Sequence, residues 1–156
     1  MKIAIIGAGN VGGALAAKWS AAGHEIFLGV KDTVDFKGKE LLENPNTTAH
    51  LVGKAVELSE VTLIAVPAVA AEEVAVSLGN TTGKVIIDAM NIIAGNGPKG
   101  FSNTTDSILA NTSTRDVVKC FNTTGFNNMA DTVYGGMKID MFVAGDSEKG
   151  KSTAKQ

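Results

Sequence analysis

The apolar positions of this chain fall into short, nearly continuous runs separated by stretches with helical spacing. Ile3-Ala4-Ile5-Ile6 is the first run, Glu25 to Leu28 has a strand's composition, and Val61 to Val66 is apolar almost throughout. Lys84 then leads into Val85-Ile86-Ile87-Asp88, and Val117 to Phe121 and Ile139 to Val143 follow. Runs without polar alternation suit strands buried on both faces. Pro67 stops the run at Val61 to Val66, because its ring and missing N–H end a ladder. Between the runs, Val11 to Ala22 predicts a helix that Gly23 terminates, and Val69 to Leu78 predicts another ending at Gly79. Shorter helical pieces are expected over Phe36–Leu42, Gly53–Glu60, Asp106–Ala110 and Phe126–Ala130. In the second of these, Ala55 and Leu58 face inward while Lys54, Glu57 and Glu60 face water. Asn44-Pro45-Asn46 makes a turn, His50 and Leu51 fit a short strand, and Gly95 to Asn103 reads as a loop of a size suited to covering a ligand. Ser147 to Gln156 begins like a capped helix but supplies almost no apolar face.

Strands alternating with helices, with no internal repeat, predict an α/β fold: an open, doubly wound, mostly parallel sheet covered on both faces, in strand order 3-2-1-4-5-6. With 156 residues and 44% hydrophobic content, one domain with a substantial core is expected, and a second does not fit. A net charge of −2 and 5% aromatic residues argue against a nucleic-acid partner. The single cysteine, Cys120, excludes an internal disulfide and a multi-cysteine metal site, and fits a small buried thiol. No leader-like segment precedes the first strand and no apolar run approaches the ~20 residues of a membrane span, so a cytoplasmic protein without a membrane partner is expected. The Asn-x-Ser/Thr triplets beginning at Asn46, Asn80, Asn103, Asn111 and Asn122 then read as turns and caps.

The chemistry is concentrated in Gly7-Ala8-Gly9-Asn10-Val11-Gly12, which joins the first strand to the first helix. A G-x-G-x-x-G turn in that position is a dinucleotide-binding fingerprint. Gly7 permits the tight turn, Gly9 bares the backbone to pyrophosphate, and Gly12 lets helix and strand pack closely. The helix N-terminus, with free N–H groups and a favourable dipole, receives the phosphates. The whole of residues 1–156 is therefore read as a Rossmann domain, incomplete at its C-terminus.

Ligands of such sheets lie beyond the carboxyl ends of the strands, near the switch in strand order. That rule gathers the glycine turn, Gly29 to Lys31, Pro67-Ala68, Ala89 to Asn91 and Asn122 to Thr124 on one edge. At the end of the second strand, Lys31 can meet the extra phosphate of NADP, while the adjacent Asp32 leaves NAD open; NADP is expected. The edge holds no histidine and no cysteine beside a base, so nucleophilic and metal-assisted chemistry lack their parts. His24 belongs to the opposite end of its strand, and His50 reaches at most the adenosine side. Hydride transfer between two stacked rings needs only alignment and dryness, whereas carbonyl reduction needs a proton donor that the sequence does not offer.

Lys2 to Gly12, the Gly23-His24-Glu25-Ile26 step, Val66-Pro67 and above all Val117-Val118-Lys119-Cys120-Phe121-Asn122-Thr123 resemble the deazaflavin-dependent NADP oxidoreductases over nearly the whole chain. The last stretch is also similar to the nucleotide domain of membrane metalloreductases. The resemblance implies a Rossmann fold, NADP as one substrate and a deazaflavin or flavin as the second, small-molecule hydride donor or acceptor. It implies cofactor-binding roles for the glycine turn (Gly7, Gly9, Asn10, Val11 and Gly12) at the pyrophosphate, Gly29, Val30 and Lys31 at the adenosine phosphate, and Pro67, Asn91 and Asn122 on the nicotinamide side; the residues themselves add Ala68 to the floor and Thr123 beside the ring, and offer no side chain as catalyst and no metal site. Members usually carry Ser-Arg where this chain has Val30-Lys31, so a hydroxyl and a bidentate fork give way to a point charge. They also continue into a segment that packs on the domain or on a partner subunit, and a homodimer is among the assemblies the resemblance allows. The alternatives are an imine or carbonyl reductase and a nucleotide-binding sensor that does not turn over.

Overall fold

The computed structural model describes all of residues 1–156. Its centre is β1 (Lys2–Ile6), whose Ile3 to Ile6 are all buried. α1 (Asn10–Ala21) follows the glycine turn and leads back to β2 (Glu25–Val30), which pairs parallel to β1 with Ile6 opposite Gly29. A 3-10 turn at Lys39–Glu43 precedes β3 (Thr47–Leu51), and α2 (Val52–Leu58) returns the chain across β1 to β4 (Val61–Ile64). A 3-10 turn at Ala68–Ala70 runs into α3 (Ala71–Ser77), followed by β5 (Val85–Asp88), α4 (Thr104–Asn111) and β6 (Val117–Cys120). The short α5 (Asn127–Ala130), a hairpin of β7 (Val133–Tyr134) and β8 (Met137–Lys138), β9 (Val143–Ala144) and α6 (Glu148–Ala154) complete the chain.

The main sheet has the order β3-β2-β1-β4-β5-β6-β9, parallel from β3 to β6 and closed by an antiparallel β9. The expected order is present, extended by one short strand. The order reverses between β1 and β4, so the ends of β1 and β4 diverge into a crevice there. One apolar layer, with Ile5, Leu28 and Leu63, lies under α1 and gathers Met129 and Ala154 from the later helices. The other, with Ile6, Ile64 and Ile86, lies under α2, α3 and α4. Burial on both faces explains why β1, β4 and β5 read as unbroken apolar runs.

One expectation is corrected at the C-terminal end and one in the connection between β2 and β3. Ile139 to Val143 is not a strand: only Val143 and Ala144 pair, against Cys120 and Lys119 of β6. The chain instead forms the β7-β8 hairpin around Gly135-Gly136, both at positive φ (57° and 81°), a two-glycine turn signal that outranks the apolar run beyond it. Phe36 to Leu42 forms no α-helix; a 3-10 turn begins only at Lys39. α6 compensates for its small apolar face with polar anchors. Ser147 Oγ accepts from Gly150 N at 2.8 Å and donates to Asp116 Oδ1 at 2.7 Å, and Lys149 Nζ lies 3.1 Å from Asp116 Oδ2. The Ser147 hydrogen bond, then Lys149, holds the Asp116 carboxyl below its ordinary range.

Among the glycines, the tightest approach is between α1 and the turn that precedes it. A Cβ on Gly12 would stand 2.0 Å from the carbonyl oxygen of Gly7 and 3.2 Å from Ile5 Cγ2. Neither the buried backbone nor the strand side chain can yield, so Gly12→Ala is expected to lower the unfolding free energy by about 1–3 kcal/mol or more, read by urea denaturation. Unchanged stability would contradict this packing. A pH series provides a second check. Because the folded state holds Asp116 below its ordinary value, its contribution is present above about pH 4 and is lost as pH falls through the folded pKa. The stability gap between wild type and Asp116→Asn should therefore close on acidification.

Candidate functional site

Parallel strands end together, so the carboxyl ends of β1, β2, β4, β5 and β6 form one edge. At its centre Gly7 has φ +100°, and a Cβ there would meet Ala65 O at 2.5 Å and Val66 Cγ1 at 2.8 Å. The glycine turn is thus wedged against the end of β4. Gly9 differs: no heavy atom lies within 4 Å of the Cβ it lacks. It is also the N-cap of α1, without a side-chain cap and with no acidic residue in the first turn. The space above Gly9 and the uncapped helix start fit a pyrophosphate, which would receive N–H donors and the positive end of the helix dipole. Asn10 is exposed and Val11 half-buried beside that opening.

At the end of β2, Lys31 is exposed, and its Nζ lies 2.9 Å from Glu73 Oε1 in the first turn of α3. Asp32 caps its own loop: its Oδ1 accepts from Val34 N at 2.8 Å and Asp35 N at 3.3 Å. Those backbone bonds, Val34 first, hold the carboxyl below its ordinary range. One oxygen of the side chain that could bond ribose hydroxyls is thus engaged in a turn. Val30 and Ala68 are buried in the two core layers, so at the edge they offer backbone only. Pro67 is exposed beside Ala68. His24 sits far from this edge, with Nδ1 3.0 Å from the chain's N-terminal nitrogen, and burial together with that positive charge lowers its pKa. His50 pairs opposite Gly29 in the β2-β3 register.

At the other end of the edge, Asn91 and Asn122 hold each other. Asn91 Nδ2 donates to Asn122 O at 3.0 Å, and Asn122 Nδ2 to Asn91 Oδ1 at 3.3 Å. Thr123 donates to Met141 Sδ at 3.3 Å. Phe121, just before Asn122, has φ +62°, a left-handed conformation costing a non-glycine residue about 1–2 kcal/mol. Its ring meets Trp19 of α1 edge to face, with centroids 5.6 Å apart, a contact that helps to offset this strain. The kink turns the chain out of the sheet so that Asn122 reaches Asn91.

Beneath this clasp lies a polar network that sequence reasoning missed. Asp88, fully buried at the end of β5, accepts from Thr104 Oγ1 (2.6 Å), Thr105 Oγ1 (2.8 Å) and Lys119 Nζ (3.1 Å) on Oδ2, and from Met90 N (2.9 Å) on Oδ1. Lys119 also donates to Thr104 Oγ1 at 2.8 Å and to the Met90 carbonyl. Its three protons have three acceptors, leaving none to give to a substrate. The available signals were an aspartate ending an apolar strand and a lysine inside one. Removing the cation alone leaves a buried carboxylate uncompensated, so Lys119→Met is expected to cost about 3–5 kcal/mol of stability. The double variant Asp88→Leu/Lys119→Met should recover much of that loss in urea denaturation, and an additive loss would contradict the pairing.

A family model described as NADP oxidoreductase, coenzyme F420-dependent, matches residues 2–92. This segment holds the glycine turn, Lys31, Pro67 and the Asp88–Asn91 strand end. No curated protein matches the sequence. Among solved structures, the chain is similar to a candidate F420-dependent NADP-reductase from Arthrobacter sp. FB24, with a TM-score of 0.82 and 23% identity, covering 99% of this chain and 78% of that one. The hypothetical protein SMa0349 from Sinorhizobium meliloti matches with the same TM-score and coverage at 22% identity. The fold is also similar to an imine reductase from Pseudomonas sp., with a TM-score of 0.66 and 16% identity over 98% of this chain and 50% of that one. With more than half of its length matched by the family model, the chain belongs to the coenzyme F420-dependent NADP oxidoreductase family.

Proposed function

We propose that this NADP-dependent oxidoreductase passes a hydride between the nicotinamide of NADP(H) and a deazaflavin, with the reaction aligned by the strand-end edge and no protein group acting as acid or base. The observation that carries this reading is the state of the nicotinamide end. Lys119, bonded to the Met90 carbonyl beside this end, has all of its protons engaged, while Asn91 and Asn122 are neutral amides tied to each other. When both molecules are bound, the nicotinamide supplies a hydride, and the deazaflavin accepts it together with a proton from solvent.

The protein's part is binding and orientation. Gly7, Gly9, Asn10, Val11 and Gly12 hold the pyrophosphate on backbone donors at the start of α1. Lys31, beside the backbone of Val30, meets the adenosine phosphate, and Asp32 has one carboxylate oxygen bound into its own loop. Pro67 and Ala68 shape the floor, and Asn91, Asn122 and Thr123 face the nicotinamide from the ends of β5 and β6. Reduction of a carbonyl would ask for a free proton donor at this end, which is why the deazaflavin reading is preferred to a carbonyl substrate. No helix is long and apolar enough to cross a membrane, in keeping with a proposed cytoplasmic site of action.

Fluorescence titration with NADPH and with NADH tests the nucleotide half of this proposal. NADPH is expected to bind more tightly, and Lys31→Ala to weaken it about tenfold or more while leaving NADH unaffected. Gly9→Ala, which meets no atom in the protein, should cost only the N-cap preference of glycine over alanine, about 1 kcal/mol of stability, yet weaken both nucleotides. The second half is tested by mixing NADPH and enzyme with coenzyme F420, a free flavin or a cyclic imine in turn. Oxidation of NADPH only with F420 supports the proposal. Oxidation only with the imine favours the reductase alternative, and binding without turnover favours a sensor.

A further inference from the structure

Lys31 is not a free cation awaiting a phosphate. Its ammonium is 2.9 Å from the Glu73 carboxylate, across 42 residues of sequence, and both side chains are largely exposed at 84% and 69%. The hydrogen bond from Lys31, and then its charge, hold Glu73 below the ordinary carboxyl range. Glu73 cannot simply move aside with its helix, because Ala71, Val74 and Ala75 beside it are buried in the core. Its own side chain must rotate. No second cation bonds Glu73, since Lys39 donates to the Val34 carbonyl and the only ion pair made by Glu73 is the one to Lys31.

Resting on the reading that Lys31 receives the adenosine phosphate, we propose that Glu73 is a specificity-determining residue, an internal competitor that occupies the Lys31 ammonium and lowers affinity for NADP(H) selectively. A phosphate dianion arriving at Lys31 either displaces the carboxylate or shares the same nitrogen with it, and sharing places like charges within a few ångströms. An arginine could serve two anions on separate edges of its fork, but a lysine offers one nitrogen to both. NAD(H) has no such phosphate and leaves the pair intact. Glu73 thus narrows the difference between the two nucleotides that Lys31 creates.

The test is fluorescence titration of wild type, Glu73→Gln, Lys31→Ala and the double variant with NADPH and NADH, each shown to be folded by circular dichroism. Glu73→Gln is expected to tighten NADPH about two- to fivefold and to leave NADH unchanged, with the gain shrinking as salt is added. In the Lys31→Ala background the gain should disappear. If Lys31→Ala weakens NADPH but Glu73→Gln does not tighten it, the competitor is overturned while the phosphate assignment stands. A gain that persists without Lys31, or that appears equally with NADH, also overturns it by showing general repulsion instead. If Lys31→Ala leaves NADPH binding untouched, the phosphate assignment itself fails, and the competitor with it.

Discussion

The fold and its site both depend on the contact between two stretches of backbone, the glycine turn and the first turn of α1. With the missing Cβ of Gly12 lying 2.0 Å from the Gly7 carbonyl, the helix is pressed onto the strand end more closely than any side chain would permit. That contact points the start of α1 into the crevice where the sheet order reverses. Gly7 is wedged on its other side by Ala65 and Val66, so the same turn fixes the spacing between β1 and β4. The glycines are not interchangeable. Gly7 and Gly12 are required by the protein's own packing, whereas Gly9 faces open space.

The far end of the edge is built on a different principle. There a buried carboxylate, Asp88, is matched by a lysine from the neighbouring strand and two threonines from the start of α4, with every acceptor and donor engaged. A buried ion pair is a poor source of net stability, since desolvation offsets most of the attraction, but it is strict about geometry. Here it ties β5, β6 and α4 directly below the Asn91–Asn122 clasp. The consequence is a polar strand end in which Lys119 keeps no free proton, the end that the proposed reading gives to the nicotinamide. Such an end suits a reaction between two rings that carry their own chemistry.

Much of this was legible in the residues. Apolar runs without alternation marked the buried strands, and the fingerprint's position between the first strand and the first helix fixed the switch point and so the edge. The runs failed where backbone conformation outweighed composition: Gly135-Gly136 made a hairpin, and Ile139 to Val143, though apolar, lay outside the sheet except for its last residue. Pairwise polar matches were likewise invisible. Nothing in the order of residues says that Lys119 meets Asp88, that Asp32 turns back on its own loop, or that Glu73 reaches Lys31 from a helix two strands away. Each is a long-range or conformational choice that spacing does not encode. The left-handed Phe121 belongs to the same class, since a phenylalanine carries no local signal for positive φ.

The measurement that bears most directly on the central claim follows the hydride itself. NADPH carrying deuterium at the transferred position of the nicotinamide would be mixed with enzyme and coenzyme F420, and the reduced deazaflavin analysed by mass spectrometry. A deazaflavin accepts hydride at carbon, where the new bond does not exchange with water. This account predicts one deuterium retained in the product, because the two rings react directly and no side chain stands between them. Reduced deazaflavin with the label lost to solvent, or no reduction by an enzyme that binds NADPH, would contradict it.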